Sequence, residues 1–178
     1  WAEVAVAADE LGFESLWIAE HLVLPARIEG SPGDDAHVTV DPHLPLFDPF
    51  VMLASLAAVT TRIHLGTNVY NIGLRHPFVT ARAAATLDIV SQGRLVLGIG
   101  ASWLEGEWRA TELDFSRRGA RVDESIALCR RLWTGPVVAH EGEFFRFDAV
   151  VFEPKPVQAS IPIHVGGESR RALRRVAE

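Results

Sequence analysis

Cysteine, lysine and long apolar runs are scarce in this sequence, and each scarcity excludes something. A single cysteine, Cys129, rules out an intrachain disulfide framework and fits a reducing compartment, so the chain reads as cytoplasmic. Cys129 falls on an apolar helical face, the setting of a small buried hydrophobe rather than a nucleophile. No apolar run approaches the roughly 18 residues that a membrane span requires, and no signal peptide is evident. Lysine occurs only as Lys155, and the net charge is -6 at pH 7. That balance argues against a nucleic-acid or anionic-membrane surface. No His/Cys/Asp cluster has metal-ligand spacing, so no metal is expected. His37, His43 and His140 read as loop residues without partners.

What is present is an ordinary globular composition: 178 residues, 48% hydrophobic and 22% charged. That length suits one domain with a real core. The chain opens on Trp1, within a helical pattern, and stops at Glu178, within another. The expectation is a single domain over residues 1–178, cut from a longer chain at both ends.

Helical and strand patterns alternate along the chain. Residues 1–11 place Trp1, Val4, Ala5, Ala8 and Leu11 on one helical face, with Gly12 as the stop. Ser15 to Ile18 reads as a buried strand ending in Ala19-Glu20-His21. The long irregular segment from Leu24 to Phe47 carries Pro25, Pro32, Pro42 and Pro45, Gly30 and Gly33, and Asp34-Asp35. A loop of that length has the character of a functional lid. Asp48 caps a helix with Pro49 in its first turn, and Met52, Leu53, Leu56, Ala57 and Thr60 form its inward face.

Arg62 to Val69 reads as a second strand, ending in Gly66-Thr67-Asn68. Pro77 opens a helix to about Ser91, rich in alanine, that Gly93 closes. The stretch Arg94 to Trp103 then runs as a buried strand, Leu95 to Leu97, into Gly98-x-Gly100 and a helix opening at Ser102. A continuous apolar run is what a parallel strand covered on both faces requires. Helical pieces follow at 103–112 and 120–133. Gly135-Pro136 breaks the pattern, and residues 137–152 alternate as a β-hairpin. A last strand, Ile161 to Val165, ends in Gly166-Gly167 before an arginine-rich helix.

This alternation means βαβ units and a parallel sheet. Right-handed crossovers put the strand C-termini on one side. Glu20-His21, Thr67-Asn68-Val69, Gly98 to Trp103 and Gly166-Gly167 then share one edge. Both a (β/α)8 barrel and a doubly wound sheet place function there; periodicity alone leaves the two open. In a barrel, these four strands would be half.

Four pieces in order carry a family resemblance: Gly12-Phe-Glu-Ser-Leu-Trp17 leading to Glu20-His21; Ile63-His-Leu-Gly66-Thr67 followed by Arg75-His76-Pro77; Asp88 to Gly93 with Gly98-Ile-Gly100-Ala-Ser-Trp103; and Pro162-Ile-His-Val-Gly166-Gly167. Together they resemble the luciferase-like monooxygenase superfamily, and in particular its deazaflavin-dependent oxidoreductases. The resemblance implies a TIM barrel, present here as a partial barrel of about four parallel strands with helices and a small hairpin insertion. It implies coenzyme F420, a deazaflavin, or alternatively FMN, across the barrel mouth. A non-prolyl cis peptide often backs the ring in such proteins, and the matching position is Asn68-Val69.

The same resemblance places His21 near the reactive face of the ring, where imidazole can pass a proton as hydride moves; the catalytic candidates are His21 and Glu20, the latter as its neighbour or a second carboxylate in the pocket. The resemblance assigns cofactor contacts to Thr67, Asn68, Val69, Gly98, Gly100, Ala101, Ser102, Trp103, Gly166 and Gly167. His76 is expected to open a helix rather than perform chemistry. One departure stands out: related sugar-phosphate dehydrogenases carry a glutamate where this chain has Ala101. The expected activity is hydride transfer between reduced deazaflavin and a small organic substrate. An FMN- and oxygen-dependent monooxygenase is the alternative, and a non-catalytic flavin-binding protein is a third. The resemblance also implies a homodimer for the whole protein.

Overall fold

A central strand buried on both faces organises the molecule. In the computed structural model, which describes residues 1–28 and 40–177, β3 (Leu95–Ile99) is buried at every position. Gly30, Pro32, Gly33, Asp34, Asp35 and His37 lie outside the described residues. Beside β3 lie β2 (His64–Thr67) and β6 (Ile163–Val165), and β1 (Ser15–Ile18) pairs with β2. The four strands form one sheet in the order β1-β2-β3-β6, all parallel. Helices α1 (Ala2–Glu10), α2 (Pro49–Ala57), α3 (Pro77–Val90), α4 (Glu105–Ala110), α5 (Arg118–Thr134) and α6 (Arg170–Ala177) intervene or follow. The alternation expected from the sequence is therefore the architecture observed: four parallel strands with helices.

Local chemistry explains most boundaries. Asp48 Oδ1 accepts from Val51 N–H at 3.0 Å, and Pro49 needs no partner at the first helical position. His76 caps α3 in the same way, accepting at Nδ1 from Phe78 N–H at 3.2 Å. Ala81, Ala84 and Ala85 are fully buried, so α3 sits close to its neighbours. The antiparallel hairpin of β4 (Val138–Glu141) and β5 (Arg146–Val150) packs on α3 through Phe147 and Phe78, with ring centroids 4.7 Å apart.

Several expectations need correction. The apolar stripe of α1 is only partly covered: Trp1, Val4 and Leu11 are exposed, while Ala5 is buried in the core and Ala8 packs against it. The helix is also held by Asp9, whose carboxylate accepts from the backbone N–H groups of Thr61, Arg62 and Ile63. On α2, Phe50 is buried and Met52 only partly so. Strand β3 continues through Gly98 to Ile99, and no helix opens at Ser102. Ser102 has φ +61, and α4 starts at Glu105 behind an extended Leu104. Strand β6 starts only at Ile163, because Pro162 has no N–H to give the ladder. His140 belongs to β4 and has a partner, with Nε2 lying 2.8 Å from Glu124 Oε1.

The two ends of the sheet differ in kind. At the N-terminal end, the Arg94 guanidinium donates to the carbonyls of Ala57, Thr60 and Ile63. Together with Asp9, this clips helices and strands together. At the C-terminal end, polar side chains converge on the strand ends, the edge where an α/β fold carries its function.

Candidate functional site

The end of β2 is the geometric centre of the site. Asn68 N–H donates to Ile18 O of β1 at 2.8 Å, while Tyr70 N–H donates to Gly98 O of β3 at 2.8 Å. The chain thus switches partners across Val69, and the Asn68–Val69 peptide bond is cis, as the resemblance implies. Val69 fills the space beside two glycines: a Cβ on Gly100 would lie 2.6 Å from Val69 Cγ2, and one on Gly166 would lie 2.8 Å from Val69 Cγ1. Gly98 has no room for a side chain at all, since its Cβ would stand 1.8 Å from Thr67 O. Thr67 Oγ1 closes the same contact, donating to Gly98 O at 2.6 Å.

An aromatic wall completes this cleft. The Trp17 indole lies across β2 where Gly66 leaves room; a Cβ there would be 2.3 Å from the ring. Trp17 stacks on His164 of β6, with centroids 5.5 Å apart and planes inclined by 26°. Trp17, Thr67, Asn68, Val69, Gly98 and Gly166 line a cleft of about 250 Å³ with His164 and Val165. That is slightly below the roughly 300–1,000 Å³ of complete small-molecule sites, so it has room for part of such a molecule.

A second, buried polar cluster lies beyond Asn68–Val69. His21 Nδ1 is 3.0 Å from Glu107 Oε2, and Glu107 is fully buried. Ser102 Oγ at 3.3 Å and Asn71 Nδ2 at 3.5 Å reach the same oxygen. Leu22 N–H donates to Oε1. The ends of β1, β2 and β3 are therefore tied to one carboxylate brought in by α4. Trp103 meets the His21 ring edge-on, at 5.9 Å and 88°.

Glu20 faces elsewhere. Its Oε1 accepts from Arg75 Nη1 at 2.6 Å, and both side chains are largely buried. Arg75 also lies 4.4 Å over the Tyr70 ring. Burial pushes the Glu20 carboxyl above its usual range, with Arg75 opposing. Burial likewise pushes the Tyr70 phenol up to about 12.

The predicted site residues thus fall into two groups. Thr67, Asn68, Val69, Gly98 and Gly166 line the cleft, with Gly100 packed behind Val69. His21, Ser102 and Trp103 gather around Glu107. Ala101 is half-buried and packs against the core. Gly167, at φ +109, turns the chain towards α6 and lines neither group. Sequence reasoning did not single out Glu107, Asn71, Trp17 or His164; the hydrogen-bonded partner of His21 is Glu107, and Glu20, its neighbour in sequence, pairs with Arg75. Among the described residues, no group of three His, Cys, Asp or Glu could hold a metal, and no helix is long and apolar enough to cross a membrane.

The family model for luciferase-like monooxygenases matches residues 1–178. The chain belongs to the luciferase-like monooxygenase family. Among its luciferase-like relatives is an F420-dependent glucose-6-phosphate dehydrogenase from Nakamurella multipartita, 37% identical over 176 residues; the match covers 97% of this chain and 48% of that enzyme. Monooxygenase RslO1 from Streptomyces bottropensis superposes with a TM-score of 0.76 at 34% identity, over 92% of this chain and 45% of that one. The coenzyme F420-dependent tetrahydromethanopterin reductase from Methanopyrus kandleri shares the fold, with a TM-score of 0.75 at 23% identity; that match covers 99% of this chain and 49% of the other. The chain spans about half the length of these luciferase-like proteins, and its sheet is a partial barrel of the luciferase-like type.

Proposed function

We propose that the chain carries the substrate-facing part of an oxidoreductase that moves hydride between reduced coenzyme F420 and a small organic substrate. The observation that carries this reading is the placement of His21. Its ring stands at the C-terminal edge of the parallel sheet, with Nδ1 held by Glu107 and the side chain still 18% exposed. When bound, the deazaflavin supplies a two-electron hydride; the protein's part is to bind, orient and manage the proton.

The residues present fit a flat heterocycle. Gly98, Gly100 and Gly166 have no side chain to project, and Val69 occupies the space beside the last two. The Trp17–His164 stack gives the cleft a planar wall. Thr67, Asn68 and Val69 would hold the ring, and His21 would exchange a proton with the substrate as hydride arrives or leaves. The relative from Nakamurella multipartita, named for F420 dependence, supports the cofactor. Ala101, where sugar-phosphate dehydrogenases of the family carry glutamate, argues for a different substrate.

The second reading is a monooxygenase using reduced FMN and oxygen, favoured by the 34% identity to monooxygenase RslO1. His21→Asn in the full-length protein tests the catalytic assignment. Hydride transfer should be lost while deazaflavin affinity stays within about twofold. Unchanged transfer would remove His21 from the chemistry, whereas a wild type that binds the deazaflavin and turns nothing over would leave a binding protein as the reading.

A further inference from the structure

Glu107 lies 86 positions from His21 in sequence, yet its carboxylate is the hub to which His21 is fixed. The hydrogen-bond inventory around it settles which groups donate. A backbone N–H can only donate, so Leu22 fills Oε1 as a donor. Ser102 Oγ already accepts from Leu104 N–H at 3.2 Å, which leaves its own hydrogen for Glu107 Oε2 at 3.3 Å. The Asn71 amide approaches the same oxygen through its nitrogen. A carboxylate that accepts from these donors offers only lone pairs, so His21 Nδ1, at 3.0 Å, meets it as an N–H.

Ser102 has a left-handed backbone at φ +61, a conformation that a non-glycine residue rarely adopts. That conformation accompanies the turn of its hydroxyl onto Glu107. Trp103, the next residue, borders the imidazole edge-on. The ring is thus restrained in position by one neighbour and in hydrogen bonding by another.

We infer that Glu107 is the positioning residue that holds His21 in its Nδ1–H tautomer, making Nε2 the atom that exchanges the proton with substrate. Glu107 does not itself touch substrate: it is fully buried behind the imidazole. The inference rests on reading His21 as the proton-exchanging group, but its test does not need turnover.

Histidine ring nitrogens report their protonation directly through ¹⁵N chemical shifts. The experiment uses full-length, cofactor-free protein labelled with ¹⁵N-histidine, titrated upward until the rings are neutral, with His21 assigned by the signal lost in His21→Asn. The expected spectrum shows a pyrrole-type Nδ1 and a pyridine-type Nε2 for His21. The reverse pattern in wild type would overturn the inference, and that result needs no Glu107 variant. Glu107→Gln should shift the ring to a mixture of tautomers, whereas Ser102→Ala should leave Nδ1–H in place. A Glu107→Gln protein that folds and keeps a pure Nδ1–H ring would also overturn it. Loss of hydride transfer in His21→Asn bears on the functional reading alone, so the two failures are separable.

Discussion

Arg75 Nη1 donates to Glu20 Oε1 at 2.6 Å, with the two side chains only 13% and 1% exposed. One buried cation thus faces one buried carboxylate. Breaking such a pair from one side costs about 3–5 kcal/mol, because the remaining charge is stranded. Arg75→Met should therefore destabilise the protein by about that amount at neutral pH in denaturant unfolding. The loss should shrink near pH 4, where Glu20 can take up a proton. An equal loss at both pH values would contradict the pairing.

Glu20 also predicts a pH slope of its own. Its folded carboxyl is held above the ordinary value by burial, so the folded state keeps a proton that the unfolded chain has already lost. Stability then falls as pH rises from the ordinary carboxylate range through the folded value, and is flat above it. Glu20→Gln should remove that decline. Stability measured from pH 4 to 8 in both proteins checks it.

Asp9 acts in the opposite direction. Three backbone N–H groups hold its carboxyl down at about 2, against an ordinary 3.8. Its contribution is complete above the ordinary value and is lost as pH falls towards 2. Asp9→Asn should flatten the acid limb between pH 4 and 2, measured by thermal unfolding, and should loosen α1 from the loop before β2.

Gly98 and Gly12 separate two reasons for glycine. A methyl group on Gly98 would sit 1.8 Å from the Thr67 carbonyl oxygen, a backbone atom that cannot swing aside. Gly98→Ala should give no cooperatively folded protein. Gly12 needs only its positive φ of +81, with nothing within 4 Å of an added methyl group. Gly12→Ala should cost about 1 kcal/mol. Circular dichroism with denaturant titration distinguishes the two.

Much of the fold was legible because its signals are local. Asp48-Pro49 and His76-Pro77 mark helix starts within two residues, and Leu95 to Leu97 marks a covered strand by composition alone. The site was half legible for the same reason. Strand ends bring Glu20-His21, Thr67-Asn68-Val69 and Gly166 to one edge, and topology predicts that edge. Glu107 was hidden because its partners are dispersed: His21, Asn71 and Ser102 come from three strand ends, and one helical turn carries the carboxylate inward. The Glu-Gly-Glu-Trp run reads as exposed, and only the structure shows Glu107 and Trp108 buried. Trp17 and His164 were missed because their contact crosses the sheet, made possible by Gly66, whose empty side chain reads only as a weak strand position. The stripe on α1 misled because a periodic apolar face does not say whether anything covers it.

Fluorescence titration of the full-length protein with coenzyme F420 and, separately, with FMN tests the central claim most directly. The deazaflavin reading predicts tight, saturable binding of F420 and none of FMN at matched concentration. Tight binding of FMN alone would contradict it and make oxygen consumption the next assay.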